Sequence, residues 1–237
     1  MKKQVVVVGL GRFGTSVASE LYQMGHDVLA VDTDELRIQD MLGRVTYAVK
    51  ADATNEAVLR ELGVQDFDVG VVSIGSNIQA SILITVLLKS LGVSFLIARA
   101  VNALHGDTLE RIGADKVVYP EQETGLRVAH ILFNPGVLDY MEMVTGFGIV
   151  KVRPPDVMVN HTLESAGLSD ARDKYGIAVL AIRRGREHIL IPSKDEVIRP
   201  GDQLIVAGRD EHLGRLQEMA REAEVRVPEP RQAVRGA

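Results

Sequence analysis

Hydrophobic positions come in short blocks separated by helix-like stretches. Val5-Val6-Val7-Val8 is an unbroken β-branched run, the pattern of a strand buried on both faces. Gly9 to Gly14 follows, then a helix-like stretch from Thr15 to Met24 with Gly25 placed as its terminator. Val28 to Val31 reads as a second strand ending at Asp32, and Thr46 to Lys50 as a third. Thr54 is placed to cap a helix through Leu62. Val69 to Ile74 is a fourth strand, and Asn77 is placed to cap a helix to Leu91. Phe95 to Ala98, a helix over 103–112 and Val117 to Tyr119 complete the series. Strands alternating with helices predict a doubly wound parallel sheet covered on both faces, a Rossmann-like α/β fold.

The pattern changes after position 120. Glu123 to Phe133 reads as a helix stopped by Asn134-Pro135-Gly136. Short strands follow at Gly148–Val152, Ile177–Ile182, His188–Ile191 and Gln203–Ala207. Arg184-Gly185-Arg186 and Pro200-Gly201-Asp202 read as hairpin turns, and helical pieces fit Thr162–Gly167 and Asp210–Glu224. This is a small α+β domain. Val225 to Ala237 mixes Pro, Arg and Glu without apolar periodicity and reads as a disordered tail. At about 150 residues per domain, the 237-residue length also suits one large or two small domains. The expected divisions are 1–134, 135–224 and 225–237.

Composition narrows the function classes. The chain is 46% hydrophobic and 25% charged, which suits a globular protein rather than a disordered one. No apolar stretch approaches the ~20 residues that span a bilayer. Only four valines follow Met1-Lys2-Lys3-Gln4, too few for a signal peptide. The absence of cysteine removes disulfides, thiolate nucleophiles and Cys-based zinc sites. A net charge of −5 argues against nucleic acid as a partner. The expectation is a soluble, cytoplasmic protein.

Gly9-x-Gly11-x-x-Gly14 lies between a strand and a helix, the context that gives this spacing meaning. The first glycine permits the turn, the second admits a phosphate to the backbone, and the third lets helix and strand pack closely. The helix N-terminus offers free N–H groups to an anion. Asp32, at the end of the second strand, is placed to accept hydrogen bonds from ribose hydroxyls and disfavours a 2′-phosphate, hence NADP. NAD, ATP, ADP and AMP share the adenosine half that these residues read. Asp52, Ala53, Thr54, Ser73, Ile74, Gly75, Asn77 and Arg99 sit at later strand ends, where such sheets bind ligands. Each also fits as a cap or turn residue. None of the six histidines (His26, His105, His130, His161, His188, His212) stands in an acid–base arrangement. No motif for a nucleophilic serine, a zinc protease or a Walker A lysine is present. A binding module therefore fits better than an enzyme. The alternative is a soluble NAD-dependent dehydrogenase or NAD(H)-sensing regulator.

These motifs, with Ala51-Asp52-Ala53-Thr54, Ile74 through Ser81, Ile112-Gly113-Ala114-Asp115, Tyr119-Pro120-Glu121, Tyr175-Gly176 and Ile198 through Asp202, resemble a known family over about residues 3–220. It is that of the RCK (or KTN) regulatory subunits of Ktr- and Trk-type potassium transporters. One pair of RCK subdomains suits the Ktr type. The resemblance implies dimers assembled into an octameric gating ring beneath a membrane K⁺-translocating subunit, at the inner face of the membrane. It implies that ATP favours an active shape and ADP an inactive one. Gly9, Gly11, Arg12, Phe13 and Gly14 would hold the phosphates, with Arg12 sensing a γ-phosphate across a subunit interface. Asp32 would take the ribose, and Asp52, Ala53 and Thr54 the adenine side. Ser73, Ile74, Gly75, Asn77 and Arg99 would surround the pocket. Glu121 would help bind Mg²⁺, Ca²⁺ or Na⁺ beside the γ-phosphate, its carboxylate being a hard oxygen ligand, with Glu123 available to share that role. The helix from Glu123 would act as crossover and hinge. In the second domain, Arg172, Ile177, Ala178, His188, Ile189, Ile191 and Pro192 would bind cyclic di-AMP between two subunits. Arg183, Arg184 and Arg186 are expected as a solvated hairpin turn.

Overall fold

The valine run becomes strand β1 (Gln4–Val8), with Val5 through Val8 all buried. The computed structural model describes residues 2–133, 136–169 and 176–213. By its internal packing the chain divides after Glu123 into two units. The first continues through α1 (Arg12–Gln23), β2 (Asp27–Asp32), α2 (Glu35–Met41), β3 (Tyr47–Lys50) and α3 (Glu56–Glu61). Then come β4 (Val69–Val72), α4 (Ile78–Ser90), β5 (Phe95–Arg99), α5 (Ala103–Arg111) and β6 (Lys116–Val118). The strands pair in parallel in the order β3-β2-β1-β4-β5-β6.

That order reverses between β1 and β4. The chain steps outward from β1 to β3, crosses to β4 and steps the other way. Right-handed crossovers therefore put α1 and α2 on one face and α3, α4 and α5 on the other. Period-two alternation in β1 feeds both layers. Val5 and Val7 pack with Ala18, Ile38 and Met41, while Val6 and Val8 pack with Leu59, Ile84, Leu88 and Leu109. The reversal leaves a crevice at the carboxyl ends of β1 and β4.

Several local expectations shift. Helix α1 starts at Arg12 rather than Thr15, because Gly11 is its N-cap through backbone geometry alone, with no capping side chain to mark it. Thr54 does not cap α3. Its hydroxyl and N–H both donate to Asp52, and Asn55 caps the helix by accepting from the Ala57 N–H. Asn77 caps α4 as expected. Helix α2 carries little sequence signal: it has seven residues and buries only Ile38 and Met41. Helix α4 buries Ser81, Ile84, Thr85 and Leu88, while Ile78, Leu83 and Val86 stay exposed.

Helix α6 (Pro120–Phe133) opens three residues before the expected Glu123. The second unit contains β7 (Val137–Val144), β8 (Phe147–Val152), β9 (Ile177–Arg184), β10 (Glu187–Leu190) and β11 (Gln203–Arg209). They form an antiparallel sheet ordered β10-β9-β11-β8-β7. Its core joins Val150, Val152, Ile182, Leu204 and Val206 to Leu163, Leu168 and Ile198 from the loops. Strand β7 gave no alternating signal because it is an edge strand, with Met141, Met143 and Val144 exposed and two register irregularities. Residues Thr162 to Gly167 are turns, not a helix. The Thr162 hydroxyl accepts from the Ser165 N–H, a local bond that competes with helix formation, and Thr162 bridges to Val197. Gly185-Arg186 does turn the β9–β10 hairpin, but Pro200-Gly201 turns the chain into β11 rather than joining neighbouring strands. A helix starts at Asp210 as expected, with residues 210–213 described. Asn134, Pro135, Arg172, Tyr175, most of the Asp210–Glu224 stretch and the tail from Val225 lie outside the described residues. No helix among the described residues is long and apolar enough to cross a membrane.

Arg184 is not a solvated turn residue. Its Nε and Nη2 donate to the two oxygens of Asp202 at 3.0 and 2.9 Å, Nη1 to Glu196 at 3.0 Å, and Nη2 also to the Val197 carbonyl at 2.9 Å. Asp202 is buried, and also accepts from the Arg199 N–H. The cluster ties β9 to the turn that leads into β11.

Candidate functional site: a glycine-rich crevice with an anchored aspartate

The glycine loop is shaped from beneath. Gly9 has φ +93, a left-handed conformation that glycine adopts without a steric penalty, and its N–H donates to the Val31 carbonyl at 2.8 Å. Ser73, at the end of β4, is buried and its hydroxyl donates to the carbonyls of Val8 and Gly9. A side chain at Gly14 would run into the Gly9 carbonyl and the Ser73 hydroxyl, so this glycine serves packing. Gly11 differs: a side chain there would meet nothing within 4 Å. The open side of Gly11 adjoins the N-terminus of α1, which has no side-chain cap and no acidic residue in its first turn. Free N–H groups at an open helix N-terminus suit an anion. Arg12 is exposed at that end and Phe13 half-buried.

Asp32 anchors the other side. Its carboxylate is buried and accepts from the Leu10 N–H at 2.6 Å and the Asp34 N–H at 2.9 Å. Arg37 on α2 donates to it at 3.3 Å. Burial pushes this carboxyl up, but the two N–H donors and Arg37 outweigh it and hold it below the usual carboxylate range. Asp32 thus ties down the loop as well as facing the crevice.

The remaining candidates are distributed unevenly. Asp52 is exposed and engaged with Thr54, whose hydroxyl and N–H lower its pKa. Ala53 is a core residue. Ile74 and Gly75 follow Ser73 and border the loop. The Ile74 side chain lies beside Gly9, and the Arg99 guanidinium lies against Gly75. Arg99 in turn grips Glu121, Nη2 to Oε1 at 2.6 Å and Nε to Oε2 at 3.4 Å. The expected cation ligand therefore meets a guanidinium within its own chain. Among the described residues no group of three His, Asp or Glu side chains stands ready to hold a metal.

In the second unit, Ile177 points into the core and Ile189 packs against it. His188 is exposed, and Ile191 is 86% exposed with φ +46. Ala178 and Pro192 are half-buried. The Ile191 N–H donates to the Leu180 carbonyl, bringing the end of β10 beside β9. A cavity of about 340 Å³ lies between the 153–160 loop and the Pro200-Gly201-Asp202 turn, and no candidate residue lines it.

Arg37 lies outside the sequence expectations, and Arg184 and Asp202 are expected there as turn residues, not as partners. Arg37 carries no motif; its only signal is a place in the first turns after an acidic strand end. Arg184 and Asp202 are eighteen residues apart, and nothing local links them.

A parallel sheet with a glycine-rich crevice, followed by a small antiparallel domain, defines an RCK-type two-domain protein. The family models concur: residues 5–120 match the TrkA-N domain and residues 148–221 the TrkA-C domain. The chain is 41% identical over 217 residues to the Ktr system potassium uptake protein C of Bacillus subtilis (strain 168), covering 92% of this chain and 97% of that one. It is 38% identical to the Ktr system potassium uptake protein A of the same organism, covering 91% and 96%. The GsuK RCK domain superposes with a TM-score of 0.64 at 17% identity, over 93% of this chain and 48% of that chain. The chain thus spans about half of that longer protein. It belongs to the Ktr family of TrkA-type potassium uptake proteins.

Proposed function

We propose that the chain is the regulatory subunit of a Ktr-type potassium uptake system, controlled by an adenine nucleotide in the first unit. The observation that supports this most is the open face of Gly11 at an uncapped helix N-terminus, with the anchored carboxylate of Asp32 beside it. The first holds phosphates and the second reads ribose. Ser73, Ile74, Gly75, Asn77 and Arg99 surround the pocket, and Asp52, Ala53 and Thr54 take the adenine side. Arg12 meets the γ-phosphate and so separates ATP from ADP. Glu121 contributes a single carboxylate. A Mg²⁺, Ca²⁺ or Na⁺ ion joins there only if phosphate oxygens or a second copy complete its ligands and Arg99 lets go.

The chemistry is binding rather than catalysis. Nucleotide differences bias two shapes of an octameric ring of dimers, which acts on a membrane K⁺-translocating subunit at the inner membrane face. Swinging such a ring from 1:99 to 99:1 takes about 5.5 kcal/mol of differential binding. On this reading residues 1–134 are the nucleotide domain with its crossover helix and 135–224 the hinge and second domain. Cyclic di-AMP binds in the second domain at Arg172, Ile177, Ala178, His188, Ile189, Ile191 and Pro192.

Calorimetric titration with ATP, ADP, NADH and cyclic di-AMP, with and without Mg²⁺, tests the proposal. ATP and ADP are expected to bind, and Asp32→Ala to weaken both by about ten- to a hundredfold, the worth of hydrogen bonds to a charged group. A cyclic di-AMP signal that survives Asp32→Ala would support the second site. Strong NADH binding with weak ATP binding would instead favour an NAD(H) sensor.

A further inference from the structure

The Asp32 carboxylate is nearly full. An ionised carboxylate has about four acceptor positions. Here Oδ2 already takes the Leu10 N–H and Arg37 Nη1, and Oδ1 takes the Asp34 N–H. A ribose diol donating two hydrogen bonds therefore finds one position too few. The two backbone donors belong to the glycine loop and to the turn before α2, so neither leaves without refolding its loop. Arg37 is the replaceable partner. Its side chain is 50% exposed, its one bond to Asp32 is long at 3.3 Å, and its second anchor, Asp34, is 3.5 Å away and itself 45% exposed.

We infer that Arg37 is a competing occupant of the ribose seat, so that a nucleotide binds the first unit by displacing this guanidinium. The inference rests on the nucleotide reading above. Arg37 serves poorly as a reader of a 2′-phosphate, since Asp32 and Asp34 surround it with two carboxylates that repel that group. It differs from a simple attractive cation in sign. An arginine that merely drew polyphosphate toward the crevice would weaken binding when removed, whereas a competitor tightens it.

The test is calorimetric titration of the full chain and its Arg37→Gln and Arg37→Lys variants with ATP and 2′-deoxy-ATP. An exposed ion pair is worth little, so Arg37→Gln should lower the ATP dissociation constant about two- to fivefold. Binding of 2′-deoxy-ATP, which makes one ribose bond fewer and fits the remaining position, should change less. Arg37→Lys should stay near the parent, and circular dichroism should show all forms folded. Unchanged or weaker ATP binding by Arg37→Gln overturns the inference while leaving the nucleotide site standing. If neither parent nor variant binds ATP, ADP or NADH, the nucleotide reading fails and this inference fails with it.

Discussion

Asp32 in the first unit and Asp202 in the second are both buried and both bonded to an arginine, yet the two guanidiniums are held differently. Arg37 reaches Asp32 with one nitrogen at 3.3 Å and keeps half its side chain in solvent. Arg184 grips both oxygens of Asp202, adds Glu196 and a backbone carbonyl, and is only 19% exposed. The aspartate partners differ too. Asp32 has two backbone donors of its own, while Asp202 has one. The same pair of residue types thus gives an exchangeable contact beside a ligand crevice and a fixed tie between strands. Bidentate geometry and exposure separate the two, not residue chemistry.

The largest effect should come from breaking the fixed pair. Arg184→Ala leaves Asp202 buried with only the Arg199 N–H, and breaking a buried pair from one side costs about 3–5 kcal/mol. Urea unfolding followed by circular dichroism should register that loss, while Arg37→Ala should cost under about 0.5 kcal/mol, as exposed pairs do. Equal losses at the two sites would remove the distinction.

Acid should sharpen it. Burial raises both carboxyls, yet hydrogen-bond donors hold both below the usual carboxylate range. A group depressed in the native state stabilises the fold above its unfolded value, near 3.9, and loses that contribution as pH falls through its native value. In Arg184→Ala burial of Asp202 is opposed only by the Arg199 N–H and the Arg199 charge, so its carboxyl rises and unfolding should begin at higher pH than in the parent. In Arg37→Ala the Leu10 and Asp34 donors remain, and the acid limb should stay in place. Thermal melts over about pH 7 to 2 distinguish the two shapes.

The two units also differ in how much of them the sequence discloses. Along the first unit, most strands are short apolar blocks, most helices are a local matter of caps and periodicity, and the glycine spacing marks the crevice directly. Asp32 could be named because its position follows from chain order in a strand–helix–strand unit. Arg37 could not, because only the pitch of α2 brings it back to Asp32. The second unit is built from long-range antiparallel pairings. Arg184 and Asp202 meet because β9 and β11 are neighbours, and no local pattern states that neighbourhood. Strand β7 stayed hidden for a related reason: an edge strand with exposed methionines does not alternate as a half-buried one does. Roles that follow from chain order in the strand–helix–strand unit are legible, and those that depend on helix pitch or sheet order are not.

The smallest predicted effect isolates geometry from charge. Lysine keeps the positive charge of arginine but presents it as a point on a flexible stem, without the fork that matches a carboxylate. At position 184 one ammonium cannot replace three nitrogens that face Asp202, Glu196 and the Val197 carbonyl from fixed directions. Arg184→Lys should therefore cost about 1.5–3 kcal/mol, since one charge-assisted bond goes unmade while the charges stay balanced. At position 37 a single long bond in solvent demands no fork, and Arg37→Lys should lie within about 0.3 kcal/mol of the parent. Paired urea titrations of the two variants decide the matter. A cost at 184 no greater than at 37 would mean that net charge alone holds β9 to the turn before β11. A clear gap would show that the fixed tie depends on the planar fork, which is the property that the ribose-side arginine does not use.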